Sequence, residues 1–218
     1  MCYQTKITKK KEEIAKRFNA EITALNDYEP MEFCSAFNYP KTPVITNKYP
    51  NKVQLFNWGL IPNWSQDKSI RNYTLNARIE TLNEKKSFKD IVQNRCLILA
   101  DGFYEWQWRN KNGSKKEKYL ITLPNQELFA FAGIYREWTD FNNTKIHSYS
   151  IITTQANELM SEIHNTKQRM PVILKKQDEP HWLQGKNYKD FAFPYSCYLV
   201  ATSLNKNNSN QIKLFKKQ

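Results

Sequence analysis

The amino-acid sequence predicts a single mixed domain of helices and strands in which β-strands dominate. Short apolar runs, such as Cys96–Ala100, have the length and composition of buried strands. The Asn112–Gly113 pair between two further strand-like segments is typical of a hairpin turn. The chain has 218 residues, which suits one compact domain, and neither an internal repeat nor an interdomain linker interrupts it.

The first half of the chain contains few recognisable elements. Residues 9–18 are predicted to form a basic amphipathic helix, because Ile14 and Phe18 share one face. Residues 53–61 form a predicted strand that leads into the sequence WGLIP. A second helix is predicted to begin at Ser87.

The second half alternates strands with short helices. Strands or extended segments are predicted at residues 96–100, 103–108, 119–123, 128–134, 148–153, 171–174 and 196–204. Thr154 is expected to cap a helix through Leu159, and another helix surrounds Trp182. Residues 1–204 therefore form the predicted domain, and residues 205–218 form a polar, weakly ordered tail rich in Asn and Lys.

The charge of the chain is strongly positive. Lys and Arg number 33 and Asp and Glu number 21, so the formal net charge is +12. Such an excess favours polyanionic partners, above all nucleic acid. A solvated lysine-rich surface is the competing explanation, and the few arginines are more informative because their planar fork suits phosphate.

Composition also excludes several classes of protein. Apolar residues make up 40% of the chain and aromatic residues 14%, which excludes wholesale disorder. No apolar stretch approaches the ~18 residues of a membrane span, and no secretory signal opens the chain, so a cytoplasmic protein is expected. The cysteines form no C-x-x-C pair, so neither a metal site nor a cofactor is predicted. Three of them are interpreted as buried, inert thiols, namely Cys34, Cys96 and Cys197.

Cys2 differs from the other cysteines because it follows the initiator Met1. Its side chain is small, so removal of Met1 is expected to leave cysteine as the first residue. A free α-amine has a pKa of roughly 7.7–8.0 and a thiol roughly 8.5, so both are partly deprotonated near neutrality. The resulting aminothiol condenses with an aldehyde to a thiazolidine or attacks an amide. By itself, a chance cysteine at this position is the better explanation.

Three further segments carry polar residues in suggestive places. If residues 75–81 are extended, Asn76, Arg78 and Glu80 project from one face, although an exposed polar strand has the same pattern. Glu105 stands among aromatic residues after an apolar strand, where burial raises a carboxyl pKa and suits proton transfer. His164, at a predicted helix end, is either a structural cap or a proton shuttle.

Together the segments resemble one family. The motifs, in chain order, are MCY at the start, WGLIPNW at 58–64, NARIET at 76–81, RCLILADGFYEW at 95–106, AFAGIY at 130–135, IITTQAN from 151 and IHNTKQRMPVIL ending at 174. They resemble the SRAP family, the SOS response-associated peptidases, over nearly the whole chain. The resemblance implies an α+β fold: a single β-rich domain with a barrel-like central sheet, flanking helices and a basic groove.

The resemblance also implies an enzyme that crosslinks covalently to abasic sites in single-stranded DNA during the DNA damage response. Its associated activity is autoproteolysis or reversal of the crosslink, and a monomer that joins the nucleoid when bound to DNA is expected. Carried onto this chain, Cys2 forms the thiazolidine and Asn76 orients the Cys2 end and the opened sugar. Glu105 is the acid/base near the α-amine, and His164 assists proton movement at the sugar hydroxyl.

The implied DNA contacts are more numerous. Arg78 and Arg169 correspond to phosphate-binding arginines, and Trp64 resembles an aromatic residue that stacks on a neighbouring base. The remaining contacts are a groove-lining loop with Asn38 and Pro40 and a phosphate contact at Thr153. The chain departs from the family pattern in two places: Tyr3–Gln4 replaces Gly-Arg, and the spacing from His164 to Arg169 is three residues longer than in H-x-R members. The longer spacing either bulges as a loop or displaces the arginine.

Two other functions use the same residues. An N-terminal-nucleophile cysteine peptidase or amidase would direct Cys2 at a carbonyl carbon. A non-catalytic single-strand binder would rely on lysines and exposed tryptophans alone. The basic charge favours the nucleic-acid functions, and only crosslinking at abasic sites accounts for the aminothiol, carboxylate and histidine together.

Overall fold

A computed structural model of the protein describes residues 2–22, 25 and 27–205, together with the backbone of residues 211–213. The α-helices are α1 (Lys11–Phe18), α2 (Glu158–Ile163) and α3 (Glu179–Leu183). The strands are β1 (Gln4–Ile7), β2 (Met31–Ser35), β3 (Lys41–Thr46), β4 (Tyr49–Trp58), β5 (Asn76–Arg78), β6 (Arg95–Ala100), β7 (Gly102–Trp108), β8 (Lys116–Thr122), β9 (Phe129–Thr139), β10 (Lys145–Gln155), β11 (Arg169–Pro171), β12 (Ile173–Leu174), β13 (Val200–Ser203) and β14 (Gln211–Lys213).

Five strands close into a barrel. In the larger sheet, neighbouring strands run in the order β11, β10, β4, β3, β6, β9 and β12, and β10 also pairs with β9. That additional pairing joins β10, β4, β3, β6 and β9 into a ring, beside which the short β5 runs parallel to β10. The barrel-like central sheet implied by the family resemblance is therefore confirmed.

A second sheet, in the order β14, β13, β8, β7, β1 and β2, packs against the barrel. Strand β6 shows how the core is shared, because all six of its residues are buried. Cys96 and Ile98 join a cluster that includes Phe103 of the second sheet, whereas Leu97 joins a cluster that includes Trp182 of α3. Alternate side chains of one strand thus fill two cores.

Several local predictions are confirmed. Helix α1 lies within the predicted segment 9–18, and Ile14 is its buried residue. Strands β7 and β8 form the hairpin expected around Asn112–Gly113. Gly113 has a φ of +69°, a conformation that glycine adopts without strain.

Two helix predictions are wrong in detail. Near Ser87 only a 3-10 turn forms, over Lys89–Ile91. Thr154 does not cap α2, because it lies within β10. The cap is Asn157, whose side chain accepts a hydrogen bond from the backbone of the first turn at 2.9 Å.

The end of the chain differs from the predicted strand and tail. Strand β13 covers only Val200–Ser203 of the predicted segment 196–204. The backbone of β14 pairs with β13 inside the segment that was predicted to be a weakly ordered tail. The rest of that prediction, for residues 206–210 and 214–218, lies outside the described residues.

Candidate active site

The amino-terminal end of the chain is attached to the barrel through Asn76. Cys2 is fully buried just before β1. The Asn76 side-chain amide donates a hydrogen bond of 2.9 Å to the Cys2 carbonyl oxygen. Asn76 begins β5, where pairing with β10 places it opposite Ile151. The barrel wall therefore fixes where Cys2 lies.

The next residue is held on the other side. The backbone N–H of Ala36 donates to the Tyr3 carbonyl oxygen at 2.9 Å, and the Tyr3 ring lies 5.1 Å from the ring of Phe37. The loop that contains Asn38 and Pro40 thus borders the amino-terminal segment.

The Cys2 thiol lies in a water-poor environment close to a carboxyl group. Burial raises its pKa well above the usual value, and the negative charge of Glu105 raises it further. The thiol is therefore protonated at neutral pH, and a nearby base is needed before the sulfur can act as a nucleophile.

Glu105 and His164 form a buried pair beside Cys2. The His164 Nε2 lies 3.9 Å from a carboxylate oxygen of Glu105. Burial raises the pKa of Glu105 to about 7. Burial also lowers the pKa of His164 to about 4. At neutral pH the imidazole is therefore neutral, and the carboxyl group is present in both its protonated and its ionised form. Such a carboxyl group can act as a general acid or as a general base.

Hydrogen bonds between α2 and β7 hold this pair in register. Gln107 of β7 donates to the backbone carbonyl of Glu162 at 2.9 Å. Asn165 accepts from the backbone N–H of Trp108 at 3.1 Å and donates to its carbonyl at 2.9 Å. His164, which ends α2, is therefore carried toward the strand that bears Glu105.

The backbone around His164 selects the protonation of its ring. The N–H of Arg169 donates to His164 Nδ1 at 3.3 Å, so the neutral ring carries its proton on Nε2, which faces Glu105. The intervening residues fold back as a turn, in which the Gln168 N–H donates to the His164 carbonyl at 2.9 Å. The longer spacing thus bulges as a loop and leaves Arg169 beside the imidazole.

Arg169 is paired with a carboxylate. Its guanidinium forms two parallel hydrogen bonds to Glu80, of 2.8 and 2.9 Å, and a third of 2.8 Å to the Thr153 carbonyl. Thr153 is fully buried and its hydroxyl also accepts from Arg169 at 3.3 Å. In this conformation the Thr153 hydroxyl contacts the Arg169 guanidinium, so two of the predicted DNA contacts lie side by side.

The other predicted DNA contacts lie at the surface. Arg78 is exposed and shares one face of β5 with Asn76, opposite Thr153 of β10. Asn38 is exposed and Pro40 half-buried. These three positions border the Cys2 region through β5 and the loop after β2.

Trp64 is 44% exposed, with the Lys86 ammonium 4.7 Å from its ring. Its indole N–H donates to the Lys86 carbonyl at 3.3 Å. Among the described residues, these contacts tie Trp64 to Lys86 and not to the group around Cys2.

Sequence reasoning placed Glu80 on the same strand face as Asn76 and missed its partner. Strand β5 ends at Arg78, and Glu80 lies in a 3-10 turn from which it reaches Arg169. Two opposite charges in two separate motifs were the only available signal, and sequence spacing does not pair them. Arg71 was not singled out from the sequence either. Its guanidinium lies over the ring of Tyr39, in the loop that contacts Tyr3.

Comparisons with known proteins decide the family. The model of the SOS response associated peptidase (SRAP) family matches residues 1–207. The chain belongs to the SRAP family. The abasic site processing protein YoqW of Bacillus subtilis (strain 168) is 35% identical over 226 residues, which cover 97% of this chain and 98% of YoqW.

Two further comparisons agree with this assignment. The abasic site processing protein HMCES of Rattus norvegicus is 34% identical over 146 residues, which cover 54% of this chain and 40% of HMCES. A crystal structure from Bacteroides thetaiotaomicron superposes with a TM-score of 0.84 at 31% identity and covers 94% of this chain and 93% of that one. The barrel with its second sheet is therefore an architecture that a solved structure shares.

Within the part of the chain that the structure describes, no three His, Cys, Asp or Glu side chains are grouped to hold a metal ion. None of the described helices has the length and apolar character needed to cross a bilayer.

Proposed function

We propose that the mature protein, with Met1 removed, captures abasic sites in single-stranded DNA by a covalent bond to Cys2. The observation that carries the proposal is the position of Cys2. Cys2 is fully buried, and its carbonyl oxygen accepts a hydrogen bond from Asn76. It lies close enough to the Glu105–His164 pair for the Glu105 carboxylate to raise the pKa of its thiol. The names of YoqW and HMCES, both abasic site processing proteins, support the same function.

The chemistry needs only the aminothiol and a proton shuttle. An abasic deoxyribose equilibrates with an open-chain aldehyde. The α-amine of Cys2 adds to the aldehyde carbon, and loss of one water molecule gives an imine. The thiol then adds to the imine carbon, its proton passes to nitrogen, and a five-membered thiazolidine closes. Water is the one leaving group, and no electrons are transferred.

The order of these steps follows from the pKa values. Because the Cys2 thiol is buried and protonated, the amine reacts first. An α-amine has a pKa of roughly 7.7–8.0, so a carboxylate that titrates near neutrality can accept its proton. Glu105, with a pKa of about 7, has that property. Once the imine has formed, the same carboxylate accepts the thiol proton.

His164 has a different task. Its ring is neutral at pH 7 and directs an N–H toward Glu105. Because Nδ1 already accepts the Arg169 N–H, His164 assists through Nε2: its N–H donates a hydrogen bond to the sugar hydroxyl while Glu105 accepts and returns the proton. Reversal of the crosslink runs through the same groups in the opposite direction, because addition of water to the imine needs the same proton transfers.

DNA is held outside this pair. Arg78 and Arg169 are the proposed phosphate ligands, Trp64 stacks on a base, and Asn38 and Pro40 line the groove. Arg169 exchanges Glu80 for a phosphate when DNA binds. We further propose that residues 1–204 are the unit that carries this activity, that it works as a monomer, and that it joins the nucleoid when DNA-bound.

The direct test uses a single-stranded oligonucleotide with one abasic site. The wild-type protein is expected to give a band that survives denaturation. Its intact mass should equal that of the protein without Met1 plus the DNA minus one water molecule. Cys2→Ala should give no thiazolidine. Cys2→Ser should give an adduct only when borohydride reduces the imine, because serine keeps the amine and lacks the thiol.

Cys197→Ser is the matched control, because Cys197 is more exposed than Cys2 yet far along the chain from the amine. It is expected to crosslink like the wild type. An adduct with unreduced Cys2→Ala at the wild-type rate would refute the proposal. Turnover of peptides or glutamine-like amides without any DNA adduct would favour an N-terminal-nucleophile hydrolase instead.

A further inference from the structure

Arg71 is a buried arginine whose side-chain stem packs against Gly59. It lies in the 3-10 turn Ser69–Tyr73 and is only 8% exposed. Its Cβ packs directly over Gly59, where an added methyl group would lie 3.1 Å from it. Gly59 has a φ of +105°, so the backbone there also favours glycine. The arginine stem therefore has little freedom to turn away.

The guanidinium of Arg71 differs from those of the other well-packed arginines. Arg17 and Arg169 each bind a carboxylate, and Arg95 donates to backbone carbonyls. Within the residues that the structure describes, the Arg71 side chain makes neither a hydrogen bond nor an ion pair. Its described contact is with the Tyr39 ring, whose centroid lies 5.2 Å from the guanidinium carbon, and its Nε is buried without a partner.

An anion bound to this guanidinium would stabilise the arrangement. Arginine keeps its charge at any physiological pH, and burying a charge without a partner costs free energy. Burial indeed lowers the pKa of Arg71 below its usual value. The guanidinium carbon lies over the Tyr39 ring, and this contact leaves the N–H donors without an acceptor among the described residues.

Arg71 also lies along the wall of the candidate site. The Tyr39 hydroxyl donates to the side chain of Asn72, next to Arg71 in the chain. Tyr39 ends the 3-10 turn that starts at Ala36, whose N–H donates to the Tyr3 carbonyl. The loop 36–40 therefore joins the amino-terminal segment on one side to Arg71 on the other.

We propose that Arg71 binds a backbone phosphate of the single-stranded DNA that enters the site. This inference rests on the proposed function for its ligand. A phosphodiester presents two oxygens that match two guanidinium N–H groups, and the contact with the Tyr39 ring limits how far the guanidinium can move. Arg71 thus supplies a fixed, geometric phosphate contact in a chain whose remaining positive charge is mostly lysine.

The test measures binding of an undamaged oligonucleotide, which has no aldehyde, as a function of salt concentration. For a protein that binds single-stranded DNA, each phosphate contact contributes about −0.7 to the slope of log K against log salt concentration. Arg71→Gln is expected to lower the slope by about that amount and to weaken binding about tenfold at low salt. Arg71→Lys, which keeps the charge and loses the fork, should fall between.

Lys116→Gln is the matched control for loss of one charge. Lys116 is exposed and its ammonium lies 5.0 Å from the Trp108 ring, on the face of the second sheet opposite to Glu105. We expect this variant to keep the wild-type slope. A wild-type slope in an Arg71→Gln variant with an unchanged melting temperature would overturn the inference.

A second measurement keeps the inference testable if Arg71→Gln fails to fold. The Arg71 Nε–H signal of the wild-type protein, assigned by its loss in Arg71→Lys, should shift in NMR spectra when the undamaged oligonucleotide is added. No shift, or a shift with inorganic phosphate and none with the oligonucleotide, would overturn it. Failure of crosslinking at an abasic site, with the Arg71 effects intact, would count against the proposed function alone.

Discussion

Replacing Glu105 by Gln should reveal a pH dependence of stability that the wild-type protein conceals. Burial shifts the pKa of Glu105 up to about 7 and that of His164 down to about 4. Both shifts disfavour a charge in the folded state, so both affect stability over the same pH range but with opposite signs. Because Gln resembles a protonated Glu, the Glu105→Gln variant removes one effect and leaves the other.

The signs follow from proton binding. Unfolded Glu105 loses its proton near pH 4.5 and folded Glu105 near pH 7, so the folded state holds the extra proton and stability falls as pH rises through this window. Unfolded His164 binds a proton below pH 6.5 and folded His164 only below about pH 4, so stability rises over that window. At 1.36 kcal/mol per pH unit, each effect amounts to about 3 kcal/mol, and the two nearly cancel.

Urea unfolding followed by tryptophan fluorescence between pH 4.5 and 7.5 measures the difference. The free energy of unfolding of Glu105→Gln, relative to wild type, is expected to increase by about 3 kcal/mol across this range. Glu162→Gln, which alters an exposed carboxylate on α2, is the control and should show no such trend. A flat or falling difference between Glu105→Gln and wild type would refute the raised pKa of Glu105, and a flat free energy of unfolding in the variant itself would refute the lowered pKa of His164.

Three other substitutions test the structure. Glu80→Gln should tighten binding of undamaged single-stranded DNA about threefold to tenfold and steepen its salt dependence, because Arg169 loses a competing carboxylate; weaker binding would show that the ion pair orients the arginine for DNA. Asn76→Ala should lower the crosslinking rate at least tenfold, because it removes the 2.9 Å hydrogen bond to the Cys2 carbonyl oxygen. Single-turnover gel assays measure this rate, and a wild-type rate would contradict the prediction. Gly133→Ala should destabilise the protein by about 1–3 kcal/mol, because the new methyl group collides with β6 side chains, and an unchanged melting temperature would contradict that packing.

Local patterns explain which elements could be predicted. Strand β6 is a continuous apolar run, and the β7–β8 hairpin has an Asn–Gly turn, so their sequences alone indicate their structure. Strand β3 was not predicted, and its Pro43 is a residue that is unfavourable in a strand interior. The structure tolerates it because Pro43 pairs with Leu55 of β4, whereas pairing with β6 begins only at Val44.

The candidate site was predictable where it depends on motifs and not where it depends on tertiary contacts. Glu105 stood out as a carboxylate among aromatic residues, and the structure buries it as expected. The ion pair between Glu80 and Arg169 joins residues 89 positions apart, and no local pattern pairs them. Arg71 was overlooked for a similar reason, since its missing counter-charge is visible only once its neighbours are known.

The charges around Cys2 separate the reaction from the binding of DNA. The protonated thiol, the neutral imidazole of His164 and a carboxyl group with a pKa of about 7 leave the buried interior close to neutral. A neutral sugar aldehyde can enter such an interior, whereas a phosphate would lose its hydration without gaining a counter-charge there. The cationic groups nearby are placed differently: Arg78 is exposed, and Arg169 is paired with Glu80. In the proposed reaction, burial would keep bulk water from the imine and favour loss of water, and reversal would then depend on water delivered by the same acid–base pair.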